Sequence, residues 1–249
     1  MNYHWNWKIF WEDAPDGGGT YLDTLFSGLG YTLATAGLAW IIALALGILI
    51  GTLRTMPNKT VARIGGAYVE LFRNIPLLVQ MFLWYFVMPE LLPVGLGDWI
   101  KSLPNAPFIT AVLCLGFFTS SRIAVQVSAG IHSLPRGQTM AGTALGLTLP
   151  QTYRYVLLPM AFRIIIPSLT NEFAAIIKNS SVALTIGLLE LTARTRSMSE
   201  FSFQTFEAFS AATLIYLVVS IIAIIAAHLL EKALAVPGFI TSGTASGGH

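Results

Sequence analysis

Lys178, Asn179, Ser180 and Ser181 set a cation, an amide and two hydroxyls at consecutive positions inside an apolar run. That combination suits a carboxylate, because the ammonium supplies charge and its neighbours supply directed hydrogen bonds. A contact between Lys178 and another subunit is the competing use of that cation. Glu172, six residues earlier and on a different helical face, offers the complementary chemistry. It can meet an α-ammonium group or hydrogen-bond a neighbouring helix. Glu70 and Arg73 are three apart, so on a helix they can neutralise each other as a structural pair. Asn74 and Pro76 follow at once and mark an irregularity whose freed carbonyls need partners.

The surroundings of these groups decide what they are for. Hydrophobic residues make up 55% of the 249-residue chain and charged residues 10%, whereas soluble domains run near a quarter charged. The apolar residues fall in runs of the length that crosses a hydrocarbon core, near 28–53, 64–88, 107–128, 162–187 and 208–230. The expectation is an all-α integral membrane bundle of about five transmembrane helices. Within the fourth run, Pro167, Glu172 and Lys178 suggest a helix that is broken or partly withdrawn from lipid. A charge at mid-bilayer costs roughly 2.5–3.5 kcal/mol on insertion scales, so such residues face a bundle interior or an aqueous path. The candidate substrate path is therefore Arg73, Asn74, Glu172, Lys178, Asn179, Ser180 and Ser181, with Arg73 near the midplane and Lys178 nearer the outer side.

Other chemistry is excluded. No G-x-x-x-x-G-K-[ST] occurs, so the chain lacks the backbone cradle and lysine that hold ATP phosphates, and ATP is left to a partner subunit. The stretch "DGGGT" at 16–20 follows no strand and opens no phosphate-binding helix; it reads as a flexible loop. His4, His132, His228 and His249 lack metal-ligand spacing, and no Ser/His/Asp set or carboxylate pair stands out. The chain is expected to be no enzyme, with no cofactor or metal of its own. A net charge of +2 gives no case for nucleic acid. Cys114, the only cysteine, reads as a buried small hydrophobe, and "GILIG" at 47–51 as a close helix contact.

Orientation follows from the loops. Segments 54–63 and 129–163 carry Arg54, Lys59, Arg63, Arg136, Arg154 and Arg163 with no acid, whereas 1–27 holds Lys8 against Glu12, Asp13, Asp16 and Asp23. The basic loops are assigned to the cytoplasm, which puts the N-terminus outside and the C-terminus inside. The organisation is then an outer or interfacial segment 1–27, with Trp5, Trp7 and Trp11 at headgroup level, a membrane domain 28–235, and a Gly/Ser tail 236–249.

The cytoplasmic connection 130–160 has strong helix punctuation. Ser133 is placed to cap a short helix with Pro135 in its first turn; Gly146 ends it in the left-handed conformation; Thr148 and Gln151 form a capping box for a second helix, stopped by Pro159. Helices of about ten residues are marginal alone, since isolated ones below about 12–15 rarely hold. Met140, Leu145, Leu147, Leu149, Tyr153 and Tyr155 give the connection an apolar and aromatic surface suited to a partner.

The same residues carry a resemblance. Met140-Ala141-Gly142, then Gly146, then Val156-Leu157-Leu158-Pro159 resembles the EAA loop of ABC importer permeases, E-A-A-x3-G-x9-I-x-L-P, with the spacing kept throughout. Met140 stands where the family has Glu, and Gly142 where it has the second Ala. "ELFRNIPLLVQ" at 70–80 is similar to the E-L-x-R-x-x-P-L-x-x-Q signature of the polar amino acid permeases, and "KNSSVALTIGLLEL" and "WNWKIF" extend the likeness, closest to permeases for glutamate and aspartate. The resemblance implies a type I ABC importer permease of the cell inner membrane. Its implied partners are a second permease subunit, a dimer of cytoplasmic ATP-binding subunits that receives the loop, and a periplasmic solute-binding protein that delivers an amino acid. Permeases for glutamine, histidine or arginine use similar helices. The rival classes are an ion-driven secondary transporter, disfavoured by five spans without an internal repeat, and a membrane assembly subunit that transports nothing.

Overall fold

The computed structural model describes residues 3–15 and 17–234. The tail 236–249, His249, the C-terminus and Asp16 of the glycine-rich stretch lie outside the described residues. Nine helices of more than one turn follow a short helical turn at Trp7–Trp11 in the described part. Four are long and apolar enough to cross a membrane, and one bent helix pair passes the same test only when its two halves are taken together.

Helix α1 (Tyr21–Leu53) begins within the segment expected to precede the first span, because Thr20 and Asp23 form a capping box there. Helices α2 (Lys59–Asn74) and α3 (Leu77–Leu91) are that pair, bent by 100° within the second apolar run. Pro76 has no N–H to continue α2, and Ile75 takes an extended conformation (φ −97°, ψ 127°), as the residue before a proline prefers. Helix α4 (Val94–Ser102) is short and lies before α5 (Ala106–His132), the third span. Helix α6 (Arg136–Ala144) is followed by α7 (Leu149–Ile186), α8 (Leu191–Ser202) and α9 (Thr205–Leu234).

The irregularity marked by Asn74 and Pro76 in the second run is the α2–α3 bend, whereas the break expected in the fourth is not found at Pro167. Pro167 sits inside an unbroken helix. Nor does Pro159 stop the second helix of the 130–160 connection: α7 runs 38 residues, from Leu149 through the fourth apolar run. A π-turn at Tyr153–Leu157 explains the passage, for Leu158 N–H bonds to Tyr153 O and the donor that Pro159 lacks is not required in its place. The same device, a π-turn at Leu83–Val87, precedes Pro89 in α3.

Helix α1 packs along α5 at the centre of the bundle. A Cβ on Gly47 would lie 2.6 Å from Ile123 Cγ2, and one on Gly51 2.6 Å from Val127 Cβ, so the small-residue pattern at 47–51 lets the two backbones touch. One core layer gathers Ala39, Met81, Cys114, Leu115, Ile176 and Ile186, and a second gathers Ala43, Ile123, Val127, Tyr153, Leu157 and Ile165. A third, around Ile9, Phe10, Leu25, Leu191 and Met198, holds the N-terminal segment against the α1 and α8 helices. There Asn6 N–H donates to Glu207 Oε1 at 2.6 Å and the Tyr3 hydroxyl donates to Glu207 Oε2, a carboxylate that pushes the Tyr3 phenol up to about 12.

Candidate functional site

The elbow between α6 and α7 is a Schellman corner. Gly146 takes φ +76°, its N–H bonds to Thr143 O at 3.0 Å, and Leu147 N–H bonds to Gly142 O at 3.0 Å. Thr148 and Gln151 then form the capping box that opens α7. Ser133 does not cap α6: it ends α5, donating its hydroxyl to Gly130 O at 2.8 Å, and Pro135 occupies the N-cap position. Gly142 is buried against Thr152, whose Cγ2 lies 2.9 Å from where a Cβ would stand, so this position in place of alanine brings the two arms together.

Outward from that corner, Met140 (68% exposed) and Leu145 (79%) project as free apolar side chains, with Ala141, Leu149 and Tyr155 also exposed. Val156 and Leu158 are half-buried and Pro159 is exposed. Tyr153, expected on the surface, is buried instead. Its hydroxyl donates to Thr55 O at 2.8 Å and lies 3.1 Å from Thr55 Oγ1, because the π-turn rotates its ring toward the α1–α2 corner. The two basic loops thereby meet on one side of the bundle.

Deeper along α7 lies a polar cluster. Arg122 of α5 donates from Nε to Glu172 Oε2 at 2.7 Å, and Gln126 Nε2 donates to Glu172 Oε1 at 3.0 Å. Glu172 is buried while the Arg122 side chain is 47% exposed, leaving its terminal nitrogens open. The Gln126 carbonyl oxygen is buried without a hydrogen-bond partner in the described residues. Arg122 escaped the sequence reading although it stands in an apolar run four residues before Gln126; the logic that singled out Lys178 applies to it equally.

Lys178 is exposed two turns farther along α7, and Asn179 is half-buried. The hydroxyls of Ser180 and Ser181 donate back to their own helix, to Ile177 O and Lys178 O, both at 2.7 Å. Their donors are thus spent locally. Glu70, Arg73 and Asn74 all lie on the exposed face of α2, where Glu70 Oε2 accepts from Asn74 Nδ2 at 3.0 Å. Among the described residues the expected Glu70–Arg73 ion pair is not formed. The freed carbonyls at the α2–α3 break are met by Gln80, whose Nε2 donates to Phe72 O at 2.7 Å and Ile75 O at 2.8 Å. An apolar cavity of about 430 Å³ lined by Trp40, Ile48, Phe162, Phe173 and Ala227 offers almost nothing to a charged solute.

A bundle of four to five spans with an elbow continuous with one of them is the architecture of an importer's membrane subunit. Residues 43–236 match the family of binding-protein-dependent transport system inner membrane components, and the chain belongs to it. This family is the permease part of ABC transporters and lacks an ATPase domain. The glutamate/aspartate import permease protein GltJ of Escherichia coli (strain K12) is 50% identical over 205 residues, covering 81% of this chain and 83% of that protein. The glutamine transport system permease protein GlnP of the same organism is 30% identical over 199 residues, 80% and 84% of the two chains. A crystal structure of an amino acid ABC transporter with histidines superposes with a TM-score of 0.72 at 30% identity, over 86% of this chain and 95% of that one. An inward-facing MetNI methionine ABC transporter shares the fold, with a TM-score of 0.65 at 18% identity over 86% and 96% of the chains.

Proposed function

We propose that the chain is the permease subunit of an inner-membrane importer for glutamate and aspartate, working by alternating access. A periplasmic solute-binding protein delivers the amino acid, a second permease subunit completes the path, and a pair of cytoplasmic ATP-binding subunits receives the 136–158 elbow. The observation that carries this reading is the continuity of α7. The helix that opens at the elbow also holds Glu172 and Lys178, so a push on Leu145 and Met140 is delivered through a rigid rod to the polar cluster. On this reading segments 54–63 and 129–163 face the cytoplasm and the N-terminus the outside, with Trp5, Trp7 and Trp11 at the outer headgroups.

The substrate's groups find complements in the path. Arg122 presents unspent guanidinium donors and Lys178 an exposed ammonium, which suit the two carboxylates of an acidic amino acid. The unpaired Gln126 carbonyl and Glu172 suit its α-ammonium, while Arg73 and Asn74 border the path from α2 and Asn179 stands beside Lys178. The 50% identity to a glutamate/aspartate permease points the same way.

The test is ATP hydrolysis by the reconstituted complex, measured with binding protein loaded in turn with glutamate, aspartate, glutamine, histidine and arginine. Stimulation by the two acids is expected. Stimulation by arginine alone overturns the substrate assignment.

A further inference from the structure

The side of α7 that carries Glu172 is filled, because Arg122 and Gln126 of α5 close on it. Another side of the same helix is not. Phe162, Ile166 and Phe173 form the floor of a slot of about 430 Å³, with Trp40 and Ile48 of α1 along one wall and Ala223 and Ala227 of α9 along the other. Helices α1 and α9 both pack on α7 far more than on each other, which leaves the slot open between them. The sequence of α9 makes the space. Ala223, Ala226 and Ala227 fall on one helical face of a run otherwise rich in isoleucine and leucine, so the large side chains of α1 and α7 have little opposite to meet.

The slot starts near the middle of the apolar runs, at Trp40 and Phe173, and ends toward the elbow, at Ile48 and Phe162. The stretch of α7 from Phe162 to Phe173 rises about 16 Å, and half of a hydrocarbon core is about 15 Å. The slot is one leaflet deep. Water has little to hold there, since the only hydroxyl among the lining residues, on Thr170, donates to Ile166 O of its own helix at 3.2 Å. An empty void would forfeit dispersion contacts along every wall, and apolar cavities take apolar guests. A protein helix, about 10–12 Å across with its side chains, is too thick for about 430 Å³ drawn out over such a length. An extended hydrocarbon chain fits both the length and the chemistry.

The end toward the elbow supplies a charge to match. Arg163 follows Phe162 there, is exposed, and makes no ion pair in the described residues. A cation between membrane helices near the end of the hydrocarbon attracts a lipid phosphate, and the long arginine stem lets the guanidinium reach out to it. We propose that the slot between α1, α7 and α9 binds an anionic phospholipid of the bilayer, with one acyl chain lying along Ile166 between Phe162 and Phe173 and the phosphate on Arg163. The site is separate from the Arg122–Glu172 cluster and does not depend on which solute the chain imports.

The test uses the assembled transporter in phosphatidylcholine vesicles containing phosphatidylglycerol with a photoreactive diazirine in mid-chain. Extraction into detergent and washing remove loosely held lipid before illumination, and the labelled residues are mapped. Label is expected on Leu44, Ile166 and Ala223, with little on Ile41 and Ile222, which are 64% and 59% exposed. Label spread in proportion to exposure means boundary lipid only and overturns the site. So does an absence of label, the result if another subunit covers the slot. Ala226→Leu, a substitution at an exposed lining position, is expected to cut slot labelling at least fivefold in a transporter that still assembles. Unchanged labelling there contradicts the placement of the chain. Diazirine phosphatidylcholine is expected to label the slot at least fivefold less than phosphatidylglycerol in the unaltered protein, and the two equally in Arg163→Gln. A preference that survives this substitution overturns the contact with Arg163.

Discussion

Arg122 Nε stands 2.7 Å from Glu172 Oε2 and ties α5 to α7 inside the bundle. Removing one partner of a buried pair strands the other charge, at a cost of about 3–5 kcal/mol. Because Arg122 is half-exposed, we expect Arg122→Ala near the lower end of that range. Replacing both by leucine should recover the thermal midpoint of the complex yet leave glutamate uptake abolished. Recovery of uptake in the double variant would remove the cluster from the substrate path.

Gly47 and Gly51 set the distance between α1 and α5. An added methyl at either meets a branched side chain at 2.6 Å, so Gly47→Ala and Gly51→Ala should each destabilise by about 1–3 kcal/mol. Gly37→Ala, where the methyl meets nothing within 4 Å, serves as the control and should be neutral or stabilising. Thermal unfolding of the purified complex reads all three.

These glycines, the apolar runs and the elbow were legible because each depends on near neighbours in the chain. The small-residue spacing, the Gly146 corner and the Thr148 capping box need only a few residues to specify them. The four to five candidate spans were visible because each apolar run is long. What stayed hidden depends on distant partners or on a single hydrogen bond. Pro159 reads as a helix stop until the π-turn before it is seen, and the same turn carries Tyr153 inward to Thr55. Glu70 and Arg73 have the spacing of a pair, but Asn74 takes the carboxylate instead.

At Gly146 the left-handed backbone costs an L-residue about 1–2 kcal/mol. Gly146→Ala should leave ATP hydrolysis intact while lowering glutamate imported per ATP several-fold, as the elbow loses its fixed angle. Gly146→Asn, better tolerated in that conformation, should fall between. Parallel uptake and phosphate-release assays give the ratio; an unchanged ratio in Gly146→Ala argues against a rigid lever.

The N-terminal strap should release in alkali. The Tyr3 phenol is raised from 10.0 to about 12 by its hydrogen bond to the Glu207 carboxylate, so the folded state holds that proton more tightly than the unfolded. Its contribution is therefore complete below about pH 10 and is lost as pH rises toward about 12. Trp5 and Trp7, stacked at 5.1 Å, report the change in fluorescence, and Tyr3→Phe should lack the step.

A motor that grips the elbow must touch Leu145, the most exposed large apolar side chain of that corner at 79%. The decisive measurement is cross-linking from a photoreactive amino acid at position 145 in the assembled transporter, with and without ATP. The account predicts an adduct with the ATP-binding subunit whose yield depends on nucleotide. An adduct with the periplasmic binding protein, or none with any other chain, contradicts it.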